Sequence, residues 1–417
     1  MSTYFISLLS MNILNEGYNS SKNLFKSGKG AFIKGVNNKT YYDLTCGSGT
    51  ILLGHNNRIF KSSIKEFLNK DYSNFALPNI HAHKFSINLK KIFPAFSKFI
   101  FCNSGAEANL KALRIARAVT KKDLVANVTG SWHGSVDQFL FKSDNKGNPS
   151  EISNGLEKNL KKNILYLPYN NIDETKKILK KNKRRLSCIF FEPIQGCLPT
   201  GDGIKYVKFL SKFCIKNKII LMLDEIITGI RINCSSIQNI YKLHSDISTF
   251  GKVAGGGMPI GIIGISKKIE RQLSKQNKKV FFGGTFSGNS FSMLVGNNTV
   301  EHIINYKKKI FLKINSSSKF FVTSLNEQIL INKIKARVTN FHSIVRIIFS
   351  EKNPKDRIQR DFFEKTSNSK RMKFINFLKN NKIIFPGNGI IFISHALNKK
   401  DLKFLIKKII IGLKKFF

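Results

Sequence analysis

The residues of this chain best placed to do chemistry are a lysine, a carboxylate and a small-residue turn. Lys252 lies in Asp246-Ile247-Ser248-Thr249-Phe250-Gly251-Lys252-Val253-Ala254-Gly255-Gly256-Gly257-Met258-Pro259, with five nearby glycines once Gly261 is included and no other charge after Asp246. Most lysines here keep basic company, so an isolated one among glycines, which permit tight turns and close ligand approach, is unusual. A desolvated or cation-flanked lysine loses its proton readily and becomes an amine nucleophile for aldehydes. The segment also reads as a plain glycine-rich turn or another kind of phosphate loop, though it lacks the G-x-x-x-x-G-K-[ST] order.

The carboxylate is Asp224, in Ile219-Ile220-Leu221-Met222-Leu223-Asp224-Glu225. An apolar run that ends in acids is a buried strand, and α/β sheets build sites at the carboxyl ends of their strands. An acid buried there needs a cation to meet it. A protonated pyridine nitrogen would do so and would make the ring an electron sink; a helix cap or a metal carboxylate is the plainer alternative. The turn is Asn103-Ser104-Gly105-Ala106-Glu107-Ala108. Ser104, Gly105 and Ala106 at a helix start leave N–H groups free for a phosphate, aided by the helix dipole, or Ser104 serves only as an N-cap. Gly130-Ser131-Trp132-His133-Gly134 holds the single tryptophan, a face able to stack on a planar ring or to fill a core. Gly283-Gly284-Thr285-Phe286-Ser287-Gly288-Asn289 adds hydroxyls suited to phosphate.

These segments must be held by strands and helices. From Phe99 onward short apolar runs alternate with amphipathic stretches. Phe99–Phe101, Asp123–Asn127, Cys188–Phe191, Ile219–Leu223 and Ile260–Ile265 read as strands, and Ala106–Val119 and Lys205–Lys216 as helices. That alternation predicts an α/β fold with a mainly parallel sheet covered by helices on both faces. After Glu301 the pattern changes to long lysine-rich helices, a strand over Ser343–Phe349 and a final helix from Lys399. Gly35–Asp43 reads as a hairpin. We therefore expect an N-terminal segment over 1–48, a large domain over 49–300 and a smaller α+β domain over 301–417. A chain of 417 residues exceeds what one core supports.

Bulk composition narrows the class. Lys and Arg total 70 against 25 Asp and Glu, a net charge of +45, which makes polyanion binding a rival function. The lysines are spread along the whole chain beside abundant Ile, Asn and 36 Phe, as A- and T-rich codons would produce, so no dedicated nucleic-acid or membrane partner is expected. The six cysteines are scattered without C-x-x-C pairing, which argues against disulfides or a metal site and for a reducing, cytoplasmic setting. No run reaches the ~18 apolar residues of a membrane span. The start, MSTYFISLLSMNILNEGYNS, lacks the basic flank of a signal peptide.

Taken in order, NSGAEANLKALRIARA, GSWHGS, FFEPIQG, LMLDEIITGIR, TFGKVAGGGMPIG and GGTFSGN make the chain resemble the class-III aminotransferases of pyridoxal-phosphate (PLP) fold type I. Within them it is similar to the glutamate-1-semialdehyde aminomutase subgroup, strongly from Phe101 to Gly296 and thinly after Glu301. The resemblance implies that Lys252 carries pyridoxal 5′-phosphate as a Schiff base and moves protons between the substrate and the cofactor. It implies that Asp224 pairs with the pyridinium nitrogen, that the Ser104–Ala106 backbone binds the phosphate, and that Trp132 stacks on the ring beside His133. Thr285 would reach the phosphate of a neighbouring subunit's cofactor, implying a homodimer. Glu192, His55 and Arg231 take pocket-wall or scaffold roles. The substrate would be a small amino or carbonyl compound.

Three departures bear on that substrate. Gly47-Ser48-Gly49-Thr50 stands where the subgroup has a Ser-Trp-Gly core, Pro386-Gly387-Asn388-Gly389-Ile390 stands where it has Phe-Glu-Ala, and Ser290 replaces a proline. An intermolecular aminotransferase for a sugar or other carbonyl compound is thus the alternative enzyme. A catalytically degenerate paralogue is the remaining one.

Overall fold

A computed structural model describes residues 24–144 and 147–417. The opening stretch weighed as a signal peptide lies outside the described residues. In chain order the strands are β1 (Phe25–Lys29), β2 (Phe32–Gly35), β3 (Thr40–Asp43), β4 (Lys98–Cys102), β5 (Leu124–Val128), β6 (Phe141–Ser143), β7 (Pro149–Glu151) and β8 (Ile164–Leu167). They continue with β9 (Leu186–Phe191), β10 (Ile220–Asp224), β11 (Ile247–Gly251), β12 (Gly261–Ile265), β13 (Arg337–Phe341), β14 (Ile344–Ile348), β15 (Ile383–Ile384) and β16 (Ile390–Phe392).

Among the described residues the largest sheet has seven strands in the order β4-β12-β11-β10-β9-β5-β8. The ladders β11-β10-β9-β5-β8 are parallel, and β12 runs antiparallel between β11 and β4. Strands β9, β10, β11 and β12 are buried at every position. That explains their unbroken apolar runs, because a strand covered on both faces has no polar side to alternate with. Two apolar clusters fill the two sides of the sheet, one around Leu113, Met222 and Ile263, the other around Tyr206, Leu210 and Leu221. The helices Gly105–Thr120 and Ile204–Asn217 supply the covering faces.

A separate core joins the two ends of the chain. Leu44 packs with Phe321, Leu325, Val345, Ile391, Leu405 and Ile409, and the parallel pairing of β15 with β3 stitches residues 383–384 to residues 42–43. The helix Ser290–Asn305 still packs with Phe85 and Phe250, as do Ile310 and Ile314 at the start of the helix Lys307–Ile331. From Phe321 onward that same helix packs into the second core. The change of core therefore falls within a continuous helix, and no loop marks it in the sequence.

Topology brings the chemistry to one edge. Cys102, Val128, Phe191, Asp224 and Gly251 end β4, β5, β9, β10 and β11, and the β12 ladders align β4 with β11, so all five strands finish at the same side of the sheet. The segments after them carry Ser104, Trp132, Glu192 and Lys252.

Candidate active site

Asp224 is the last residue of β10 and is buried. Its Oδ2 accepts a hydrogen bond from Asn109 Nδ2 at 2.9 Å and lies 2.8 Å from His133 Nδ1, while Oδ1 accepts from the Ile226 N–H at 3.1 Å. Asn109 Nδ2 also reaches the His133 carbonyl at 2.9 Å. The His133 ring is clamped by Phe190, with centroids 4.0 Å apart and planes 24° from parallel. Three elements thus hold one carboxylate in place, which fixes its direction. The neighbouring Glu225 points the other way, as strand alternation demands. It accepts the Ile237 and Gln238 N–H groups and the Thr228 hydroxyl, a structural cap.

Lys252 follows β11 with φ of +45°, a left-handed conformation that a side-chain-bearing residue adopts at some energetic cost. Lys252 and Asp224 line a common cavity of about 350 Å³, with Asn103, Gly105, Ala106, Trp132, His133 and Glu192. Burial pulls the Lys252 ammonium below its usual pKa, against the opposing pull of the Asp224 and Glu192 charges. A lysine poised this way releases its proton more easily than one on the surface.

The first turn of the helix Gly105–Thr120 forms one wall. Ser104 caps it, its hydroxyl accepting from the Glu107 N–H at 3.1 Å, and the Asn103 N–H donates to Glu107 at 2.8 Å. The N–H groups of Gly105 and Ala106 fall in the first turn, where no helical carbonyl is in reach, and both residues line the cavity. Gly261 at the start of β12 makes this packing possible, because a Cβ there would sit 2.0 Å from the Ser104 carbonyl. Trp132, 36% exposed, lines the cavity, and its backbone N–H donates to Glu192 at 2.9 Å.

Glu192 is buried, and its second oxygen accepts from the Gly196 N–H at 3.3 Å. Burial, aided by the Asp224 charge, lifts its carboxyl to about 8. At neutral pH it therefore keeps its proton in the folded chain and has lost it in the unfolded one. That difference makes its contribution to stability fall as pH rises from the ordinary carboxyl value toward 8. His55 pairs with Asp43 at 2.8 Å, and buried Arg231 donates to the Gly49 carbonyl at 2.8 Å while lying over Phe392. Thr285 is exposed and lines neither this cavity nor the adjoining one.

A second cavity of about 270 Å³ adjoins the first, sharing Ser48, Trp132, Glu192, Ile227 and Lys252. Its outer wall holds Arg346, Arg357, Arg360 and Arg371, with Pro386, Gly387 and Asn388. Sequence reading missed these arginines and Asn109. A signal for two of them was present. Arg346 interrupts the apolar run Ile344–Ile348, and Asn109 occupies a core position of an otherwise apolar helix face.

The donor set fits pyridoxal 5′-phosphate: an amine, an anchored carboxylate, a helix start suited to phosphate and an indole all line one cavity. Among the described residues there is no group of three or more His, Cys, Asp or Glu side chains able to hold a metal ion, and no helix is long and apolar enough to cross a membrane.

Comparison with known proteins agrees. The family pattern "Aminotransferase class-III" matches residues 13–366. A glutamate-1-semialdehyde 2,1-aminomutase from Wigglesworthia glossinidia brevipalpis is 33% identical over 91% of this chain and 87% of its own length. One from Methanosphaera stadtmanae is 31% identical over 94% and 92%. An omega-transaminase from Sphaerobacter thermophilus superposes with a TM-score of 0.85 at 19% identity, over 94% of this chain and 90% of that one. A glutamate-1-semialdehyde aminomutase from Pseudomonas aeruginosa PAO1 gives 0.83 at 17% identity, over 95% and 88%. The chain belongs to the class-III aminotransferases. It is a pyridoxal-phosphate-dependent enzyme.

Proposed function

We propose that this enzyme moves amino groups between small molecules, with Lys252 as the reactive amine and proton carrier. The observation that carries this is the anchored Asp224, held by Asn109 and His133 in the same cavity as Lys252. Pyridoxal phosphate, when bound, supplies an aldehyde that condenses with amines and a ring that spreads the electron pair left when a Cα proton departs. Lys252 Nζ, with its lowered pKa, takes up that proton and returns it. The Asp224 carboxylate would orient the cofactor ring and keep its nitrogen protonated, the Gly105 and Ala106 N–H groups would bind its phosphate, and Trp132 would pack against the ring. Protonated Glu192 closes the pocket without adding a second negative charge beside Asp224.

Within this reaction type we place the enzyme in the aminomutase subgroup, where the nitrogen leaves and re-enters one molecule. The test supplies glutamate 1-semialdehyde alone, and 5-aminolevulinate should form without any amino donor. A second reading, intermolecular transfer to another carbonyl compound, is favoured by the wall that faces the substrate. Ser48 and the Pro386–Asn388 loop line it, with four arginines beside them. Failure of the semialdehyde assay, with cofactor still held on Lys252, decides for this second reading.

We further propose a cytoplasmic homodimer with the division at 1–48, 49–300 and 301–417, the last part keeping Ile310 and Ile314 of its first helix packed on the large domain. Six cysteines held as buried free thiols suit a reducing compartment. The exposed Thr285 turn is flanked by Phe281 and Phe286, exposed by 74% and 61%, an apolar surface suited to a second copy. Sedimentation should give twice the chain mass; a monomer that turns over at full rate would remove Thr285 from the site.

A further inference from the structure

The outer cavity has a charge imbalance that transfer of an amino group does not require. Arg346 stands in the middle of β14, a strand buried at every position, and is itself 2% exposed. Arg357 and Arg360 come from the helix Arg357–Glu364 and Arg371 from the helix Asn368–Asn380. One strand and two helices therefore aim guanidinium groups at one cavity. Among the described residues, two carboxylates pair with them. Glu364 lies 3.4 Å from Arg346 and 3.6 Å from Arg360, and Asp361 meets Arg357 at 3.4 Å and also pairs with Arg360. Glu192, the one carboxyl among the described residues that line the cavity, has its pKa lifted to about 8, which favours its neutral form at pH 7.

Four guanidiniums against two carboxylates leave an excess of two positive charges. The neutral partners do not change that count. Arg346 also donates to the Asn388 carbonyl at 2.5 Å, Arg360 to the Cys197 carbonyl, and Arg371 to Asn368 Oδ1 at 3.2 Å. The Nε atoms of Arg346 and Arg371 are buried without a hydrogen-bond partner, a state that is costly unless a ligand relieves it. The loop Pro386–Ile390 wraps the Arg346 head closely, and Gly389 (φ +78°) allows it, since a Cβ there would lie 3.2 Å from the guanidinium. Such a site is built, with its cations positioned before any ligand arrives.

We propose that this arginine cluster binds a phosphate group, carrying two negative charges, on the far end of the substrate. The substrate is then a phosphorylated amino or carbonyl compound, with its reacting carbon at Lys252 and its phosphate among Arg346, Arg357, Arg360 and Arg371. Guanidinium forks suit the oxygens of a phosphate, which accept paired hydrogen bonds. A substrate with a single carboxylate would leave one excess charge unanswered. The inference rests on the second reading above, amino transfer to a carbonyl compound other than glutamate 1-semialdehyde, which carries one carboxylate and no phosphate, and it specifies what that site accepts.

The experiment uses holoenzyme saturated with pyridoxal phosphate, so that the helix-start cradle is already filled, and titrates it calorimetrically with inorganic phosphate, succinate and acetate. Phosphate should bind at least tenfold more tightly than acetate and more tightly than succinate. Arg357→Gln and Arg371→Gln, both partly exposed and so tolerant of change, should each weaken phosphate binding about tenfold. Thermal melting and cofactor absorbance establish that the variants remain folded and loaded. Equal affinity for phosphate and acetate, tighter binding of succinate, or unchanged binding in both variants overturns the assignment. A holoenzyme that holds cofactor on Lys252 but ignores phosphate sinks this inference alone. A protein that holds no cofactor sinks the amino-transfer reading beneath it.

Discussion

Lys252→Ala should leave a folded protein with turnover reduced by about 10⁴-fold or more. A positioned general base accounts for about 10²–10⁴ of rate by itself, and among the described residues Lys252 is also the only amine lining the inner cavity. The fold should survive because no core contact depends on the ammonium, and alanine meets the same backbone restriction at φ +45° that lysine meets now. Melting temperature should therefore shift by only a few degrees, while the visible absorbance of covalently held cofactor disappears. Lys252→Arg is the sharper control. It keeps the positive charge, but a guanidinium cannot release its proton in this range, so it should be as inactive as alanine. Turnover in Lys252→Arg within tenfold of wild type would remove Lys252 from the chemistry.

Asp224→Asn should lower kcat by about 10²–10⁴-fold. The loss corresponds to about 3–5 kcal/mol, the penalty for leaving one member of a buried charge pair alone. Asparagine has the same shape but one acceptor oxygen, which can take the Ile226 N–H in place of Oδ1 but not also the Asn109 and His133 contacts of Oδ2. A large loss would therefore report charge and its hydrogen bonds and not a change of volume. Two titrations separate this from a structural defect. The Asp224 charge raises the pKa of Lys252, so the variant should lower it further. It also helps hold Glu192 up at about 8, so the Glu192 carboxyl should titrate at lower pH, visible by infrared difference spectroscopy. With Glu192 ionising earlier, the pH-dependent loss of stability it causes should be complete at a lower pH than in wild type. Unchanged titration of both groups with full loss of activity would point to misfolding or a displaced His133 instead.

The two acids of Leu223-Asp224-Glu225 show how far local reading reaches. Sequence placed them at a strand end, where sites are built, but could not tell which faced the cavity. Strand alternation sends them to opposite sides, and the Ile237 cap claims Glu225. Lys252 was legible because an uncharged, glycine-rich neighbourhood is rare in a chain this basic. Ser104 was legible because a cap and small residues mark a helix start. The strands of the large sheet were readable from their apolar runs, whereas the strand Ile247–Gly251 went unmarked, its run broken by Ser248 and Thr249.

The outer wall was hidden for a different reason. Arg346, Arg357, Arg360 and Arg371 are four of 70 basic residues, and apart from the apolar run around Arg346 nothing in their local spacing separates them from solvated ones. What distinguishes them is that β14 and two helices of the second core turn them toward a cavity lined on its other side by Trp132 and Glu192. By itself, then, the sequence determined the reaction type, since the groups that hold and use the cofactor sit in short motifs whose chemistry is local. The tertiary structure alone decided the company Lys252 keeps on its substrate side, because that wall is assembled from residues more than 90 positions away in the chain, and long-range packing leaves no periodic trace to read.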